Sequence, residues 1–154
     1  MGRILEPALN TTRRRAAQVF AESAICGYGT GFVAAAIVTL LFAAGSGNGG
    51  AVLAYPMLAG AFGGGLGMIV GIVAGVFGAL LVRAGEHRLG AAVTASLLPI
   101  VGLTASLPIA WLFARLGGPS WRVLVLAIAV VLTLIGSWIV AYRYLRRAEG
   151  APVH

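Results

Sequence analysis

Residues 55–82 read YPMLAGAFGGGLGMIVGIVAGVFGALLV, and none of them is charged. An α-helix needs about 20 apolar residues to cross the hydrocarbon core of a bilayer. Backbone N–H and C=O groups in lipid must find hydrogen-bond partners within the segment, which favours a helix over a single strand. The stretch therefore predicts a transmembrane helix over 55–82.

Charge-free stretches around this segment predict three more helices. They run from Ser23 to Val82, from Leu89 to Ala114 and from Val123 to Tyr142. The first stretch is long enough for two crossings, and the flexible sequence GSGNGG divides it. The sequence LGGPS at 116–120 predicts a tight turn between the last two helices. The predicted transmembrane helices are 24–44, 55–82, 90–114 and 121–143.

Composition argues against a soluble domain. Of the 154 residues, 60% are hydrophobic and 10% are charged, whereas soluble domains carry roughly 25% charged residues. Short connections force neighbouring helices to run in opposite directions. The predicted fold class is therefore an all-α integral membrane protein, built as a four-transmembrane-helix antiparallel bundle in one domain over 23–143.

Arginine placement predicts the orientation. All eleven basic residues are Arg, and with the N-terminus inside only Arg115 and Arg122 fall outside the cell. The positive-inside rule favours this arrangement, with cytoplasmic segments at 1–22 and 144–154. The net charge of +7 is then explained by topology, and no nucleic-acid partner is predicted. The Arg-, Ala- and Gly-rich composition is typical of a GC-rich bacterial genome, which predicts a bacterial plasma membrane.

Aromatic residues agree with this orientation, since Tyr and Trp are enriched at both membrane interfaces. The predicted outer belt is Tyr55, Trp111 and Trp121, and the predicted inner belt is Tyr28, Trp138, Tyr142 and Tyr144.

The N-terminal segment allows two interpretations. Residues 1–22 show a weak helical period and contain the run Arg13, Arg14 and Arg15. One interpretation is an interfacial helix whose arginines bind anionic lipid head groups. The other, which we favour, is a topology signal that extends the first transmembrane helix into water.

Small residues recur at every fourth position of the second helix. They are Ala59, Gly63, Gly67, Gly71, Gly75 and Ala79, and the first helix has a shorter series of Gly27, Gly31 and Ala35. Such a face lets another helix backbone approach closely. We favour packing of helix 1 on helix 2 within the chain, because the connecting loop is short. A homo-oligomer interface, as in glycine-zipper proteins, is the alternative.

Two further features can disturb a helix. The glycines between Gly63 and Gly67 allow a break near mid-membrane, as in transporters, but a continuous helix whose tilt absorbs its length is the favoured interpretation. Pro99 and Pro108 predict kinks in the third helix, because each frees a carbonyl one turn earlier. We expect hydroxyl groups nearby to donate to these carbonyls, and the candidates are Ser96, Thr104 and Ser106.

Residues that carry chemistry are few. Apart from Arg122 and Arg143, at the two ends of the last span, no Asp, Glu, Lys, Arg or His lies inside a predicted helix span, although ion-coupled transport usually depends on such residues. Cys26, His87, His154 and four Glu have no metal-ligand spacing. Glu86 and His87 allow an acid/base pair, but a solvated charged turn between helices 2 and 3 is the favoured interpretation. We therefore predict no catalytic residue, no cofactor and no metal site.

Two functional hypotheses remain. The first is a non-catalytic accessory or structural subunit, in a larger membrane complex or a homo-oligomer, that packs through the second helix. The second is a small transporter or channel for a neutral or apolar solute. The second hypothesis requires a cavity beside Gly63–Gly67, and a tightly packed bundle would contradict it.

Overall fold

A computed structural model describes residues 5–45, 54–116 and 119–149 of the chain, which are helical apart from a kink at Gly90. The helices are α1 (Leu5–Gly45), α2 (Ala54–Leu116) and α3 (Pro119–Glu149). Since α2 changes direction at Gly90, we call its two arms α2a, before Gly90, and α2b, after it.

Four segments of these helices are long and apolar enough to cross a membrane. They are Asn10–Gly45, Tyr55–Gly85, Arg88–Leu112 and Trp121–Glu149. For the part of the chain that the structure describes, the prediction of an all-helical fold with four such segments is confirmed. The predicted glycine-rich turn after α1 falls mostly on residues outside the described ranges.

The helices extend well beyond the predicted charge-free ranges. Residues 5–22 form the first half of α1, in one continuous helix with the predicted 24–44 segment. Residues 144–149 likewise continue α3. These flanks are rich in Ala, Arg, Leu and Glu, all good helix formers. Charged residues show where a helix can leave the bilayer. They do not end the helix, which continues through them in α1 and α3.

The connection between α2a and α2b differs from the predicted loop. Residues 83–89 are helical, and the direction changes at Gly90, with φ 78° and ψ 164°. Residues other than glycine very rarely adopt this backbone conformation. The expectation of a charged turn over 83–89 is therefore wrong, because these residues are helical and the chain changes direction at a single glycine. The side chains of Glu86 and His87 lie outside the described residues.

The other glycines and the prolines inside α2 do not interrupt its helical backbone. Within α2 the backbone leaves helical geometry at Gly90, so the helix continues through Gly63–Gly67, and the disfavoured alternative of a mid-membrane break is not observed. Pro99 and Pro108 both lie inside α2b.

The expected hydroxyl partners of the proline-freed carbonyls are also wrong. Those carbonyls belong to residues 95 and 104, whereas Ser96 donates to Val93 O and Ser106 to Leu103 O. Thr104 donates to the carbonyls of residues 100 and 101. A hydroxyl in a helix reaches back three or four residues. The positions that could reach the carbonyls of residues 95 and 104 hold leucine, at 98 and 107, or proline, at 99 and 108.

A buried core closes the end of the bundle nearest Gly90. It contains small and medium apolar side chains from α1, both arms of α2 and α3, namely Ala16, Val19, Val82, Ala95, Leu98, Val140, Ala141 and Tyr144. Tyr144 is only 1% exposed, so its expected place in an aromatic belt is wrong. Large apolar side chains are exposed along the outer faces of all the helices, as lipid contact requires.

Candidate functional site

Glycines bring α1 and α2a into direct backbone contact. A Cβ built at Gly27 would lie 2.7 Å from Gly71 Cα, and one built at Gly31 would lie 2.8 Å from Gly67 Cα. A Cβ at Gly63 would overlap both the Gly31 carbonyl oxygen and the Ala35 methyl group. No side chain fits between these backbones, so only glycine permits this separation. We call this contact the glycine seam.

The seam ends differently on its two sides. Residue numbers fall along α2a as they rise along α1, so Gly75 meets Phe20 at one end, with a built Cβ 2.9 Å from Phe20 O. Towards the other end, Phe32 lies over Gly60, and Tyr28 lies over Gly64. All six glycines predicted to pack helices, Gly27, Gly31, Gly63, Gly67, Gly71 and Gly75, therefore lie between α1 and α2a.

A cavity of about 700 Å³ lies among α1, both arms of α2 and α3. The seam glycines form part of its wall, including Gly63 and Gly67 together with Leu66. The opposite wall comes from α3, where Ala129, Thr133 and Gly136 face it. Small-molecule sites in proteins usually measure about 300–1,000 Å³. The cavity is therefore large enough for a small ligand.

The cavity wall is almost entirely apolar. Among the described residues that line it there is no Asp, Glu, Lys, Arg or His. Thr30 donates to Cys26 O at 2.9 Å, Thr39 to Ala35 O at 2.7 Å, and Ser106 to Leu103 O at 3.1 Å. These hydroxyl protons are used within their own helices. The wall thus offers apolar surface and a few hydroxyl oxygens, which suits a neutral solute and not an ion.

The two ends of the cavity are bounded by packed side chains. Leu98 and Val140 belong both to its wall and to the buried core near Gly90. At the other end, the rings of Phe42 and Trp121 have centroids 6.0 Å apart. Phe62 lines the cavity and is nevertheless 72% exposed, so it stands at a rim. The cavity therefore reaches the outer surface of the bundle beside Phe62.

Helix α3 is joined to the rest of the bundle by side chains. A Cβ at Gly102 would overlap Ser137 Oγ, and one at Gly136 would lie 3.0 Å from Thr30 Cγ2. The atoms met here belong to side chains, whereas the glycine seam brings backbone atoms together.

One ion pair links α1 to α3 beyond the core end of the cavity. Arg147 Nη2 donates to Glu22 Oε1, and Glu22 is 13% exposed at its side chain against 41% for Arg147. The second carboxylate oxygen of Glu22, Oε2, is buried without a hydrogen-bond partner among the described residues. Ser23, the next residue, lines the cavity.

The other residues considered in the sequence lie apart from the cavity or contribute little to it. Cys26 lines the cavity as a free thiol. Arg13 and Arg14 are exposed on the first turns of α1 that the structure describes. Pro99 and Pro108 do not line the cavity, although their neighbours Leu98 and Ile109 do.

Sequence patterns did not reveal several residues of this site. Thr30, Thr133 and Ser137 are hydroxyl residues in otherwise apolar stretches, which marks them as polar groups that avoid lipid. They line one cavity because they lie at similar heights along neighbouring helices. Sequence periodicity does not predict these heights. The partners Glu22 and Arg147 are separated by 125 positions, and only charge opposition hints at the pair.

Comparison of the chain with protein-family models, with curated proteins and with solved structures finds no match.

Proposed function

We propose that the chain is a non-catalytic multi-pass membrane protein that binds a small neutral or apolar solute in its central cavity. The carrying observation is the cavity of about 700 Å³ beside Gly63 and Gly67, with a wall free of ionisable carboxylate, amine, guanidinium and imidazole groups among the described residues. Such a wall desolvates an apolar molecule at no electrostatic cost, whereas an ion would lose its hydration without compensation.

The geometry favours a carrier or binding protein over an open channel. A channel needs a polar path through both ends of the bundle. Here the Phe42–Trp121 contact bounds one end and the buried core bounds the other, while the rim beside Phe62 faces outward. A solute dissolved in lipid enters by such a side opening.

Trp121 provides a reporter for solute binding, because its indole lines the cavity. The other two tryptophans, Trp111 and Trp138, are exposed. In the protein used for the experiment, both are replaced by Phe so that Trp121 is the remaining indole. The protein in lipid nanodiscs is titrated with halothane, a small neutral molecule whose bromine quenches indole fluorescence. We expect quenching that saturates, as binding to one site requires.

A matched pair of variants locates the site. Ala129 lines the cavity on α3, whereas Ala127 on the same helix is exposed and does not. Ala129→Phe should remove the saturable quenching and Ala127→Phe should leave it unchanged. Quenching that rises linearly in all three proteins, or that saturates equally in all three, would contradict the proposal.

The proposed topology is an antiparallel four-helix bundle with both termini in the cytoplasm of a bacterium. It is supported by the opposed residue order along the glycine seam and by the excess of Arg at one face. Reporter fusions to residue 154 and to the 46–53 connection test it. Alkaline phosphatase should be active at the connection and inactive at the C-terminus, and the reverse pattern would overturn the orientation.

An accessory or structural subunit is the second candidate. The glycine seam is occupied within the chain, so a homo-oligomer or a larger complex would use another face. Gly29 on α1 and Gly65 on α2a are exposed, with no atom within 4 Å of a built Cβ. Disulfide crosslinking of a Cys26→Ser, Gly65→Cys variant in membranes tests this. A dimer band supports the candidate, and monomer alone contradicts a homo-oligomer on that face.

A further inference from the structure

A second recess lies on the outside of the bundle, between α1 and α2a. It has a volume of about 260 Å³ and shares no lining residue with the central cavity. We call it the α1–α2a groove, and its lining includes Ala17, Phe20, Val76, Leu80 and Arg83. It begins where the glycine seam ends, since Phe20 is also the residue that meets Gly75.

The groove exists because small side chains lie between large ones. Ala16, which is fully buried, and the half-buried Ala79 form its floor. Its walls are Phe20, 38% exposed, and Leu80, 54% exposed. The body of the groove is thus a narrow apolar channel that faces outward, and in a bilayer its occupant is apolar.

One end of the groove is basic. Arg83 lines it and is exposed, and Arg83 directly follows the charge-free stretch that ends at Val82. Arg13 is exposed and stands one helical turn before Ala17 on α1. Because residue order is opposed in the two helices, Arg13 and Arg83 lie towards the same end. Among the described side chains, no carboxylate pairs with either of them.

An apolar groove with a basic end at the membrane boundary is complementary to one kind of molecule. A phospholipid places its acyl chain in the hydrocarbon core and its phosphate at the interface, where guanidinium groups bind phosphate oxygens in pairs. From Val76 to Arg83 the helix rises about 10 Å, enough for the upper part of an acyl chain. We propose that the α1–α2a groove binds one anionic glycerophospholipid, with its phosphate at Arg83 and Arg13 and one acyl chain along Phe20, Val76 and Leu80.

Native mass spectrometry of the detergent-solubilised protein tests this with dioleoyl phosphatidylglycerol and dioleoyl phosphatidylcholine as probes. We expect one phosphatidylglycerol per chain to remain bound at concentrations where phosphatidylcholine is lost. Each basic residue contributes about fivefold to affinity for an anionic lipid at this position. Arg83→Gln should therefore weaken phosphatidylglycerol binding about fivefold, and the double Arg13→Gln, Arg83→Gln variant should weaken it further. Arg122→Gln, which removes an exposed Arg far from the groove, should have no effect.

A second pair of variants tests the apolar body. Ala17→Phe fills the groove, whereas Ala21→Phe adds the same ring to an exposed neighbouring turn of α1. Loss of bound lipid in Ala17→Phe alone, with an unchanged thermal melt, is the expected result. Retention of lipid in Ala17→Phe, equal binding of the two lipids, or equal effects of Arg83→Gln and Arg122→Gln would each overturn the proposal.

Discussion

The two sides of α1 differ in how small residues are used. Towards α2a, Gly27 and Gly31 meet Gly67 and Gly71 at matching heights, and the two backbones touch. Towards α3, the glycine at 136 meets the side chain of Thr30, and a cavity remains. Small residues on both helices at one height close an interface, whereas a small residue facing a larger one holds the helices apart. Small residues therefore produce close helix packing on one side of α1 and leave room for a cavity on the other.

The largest expected effect is at the closed side. Gly67→Ala places a methyl group 2.8 Å from Gly31 Cα, and backbone atoms cannot rotate away. We expect the free energy of unfolding in detergent to fall by about 3 kcal/mol, at the upper end of overpacking costs. Gly65→Ala is the control, since its Cβ meets nothing within 4 Å. Equal stability of the two variants would mean that α1 and α2a are not in backbone contact.

The next effect concerns Gly90, whose conformation determines where α2b returns to form a wall of the cavity. Gly90→Ala meets no atom within 4 Å, so any cost comes from the positive φ of 78°. We expect a loss of about 2 kcal/mol in unfolding free energy. Gly29→Ala also enters open space, but within a regular helix. If both variants unfold alike, the reversal does not depend on the backbone of residue 90.

A smaller effect is expected at the Glu22–Arg147 pair, which joins α1 to α3 beyond the cavity. Arg147→Gln leaves the largely buried Glu22 carboxylate without its cation. Because Arg147 is 41% exposed, we expect a cost of about 1 kcal/mol, well below that of a fully buried pair. Glu22→Gln should cost less, since it removes the buried charge. Chemical denaturation measures both, and a larger loss in Glu22→Gln would contradict this assignment.

The sequence predicts the close contact between α1 and α2a better than it predicts the cavity between α1 and α3. Charge-free stretches locate four apolar helices, because charge is costly in lipid whatever the packing. The four-residue spacing of Gly63, Gly67 and Gly71 indicates a face that admits close approach. By contrast, the charged residues at 83–89 predict a loop, whereas these residues are helical and the chain changes direction at Gly90.

The cavity has no sequence pattern of its own. It depends on the relative heights of Thr30, Gly102, Gly136 and Ser137, which lie on three different helices. Local periodicity fixes the face on which a residue lies but not the height at which it meets another helix. The same limit applies to the α1–α2a groove. Arg83 becomes part of a candidate lipid site only because it lies beside Ala17 and Phe20 of another helix.

Xenon binding tests the central proposal most directly, because xenon occupies apolar cavities and needs no polar contact. Crystals of the protein pressurised with xenon should show it among α1, α2 and α3, close to Gly67, Ala129 and Thr133, and none within the glycine seam. A bundle with no xenon at that position, or with xenon only on its outer faces, would contradict an internal solute site.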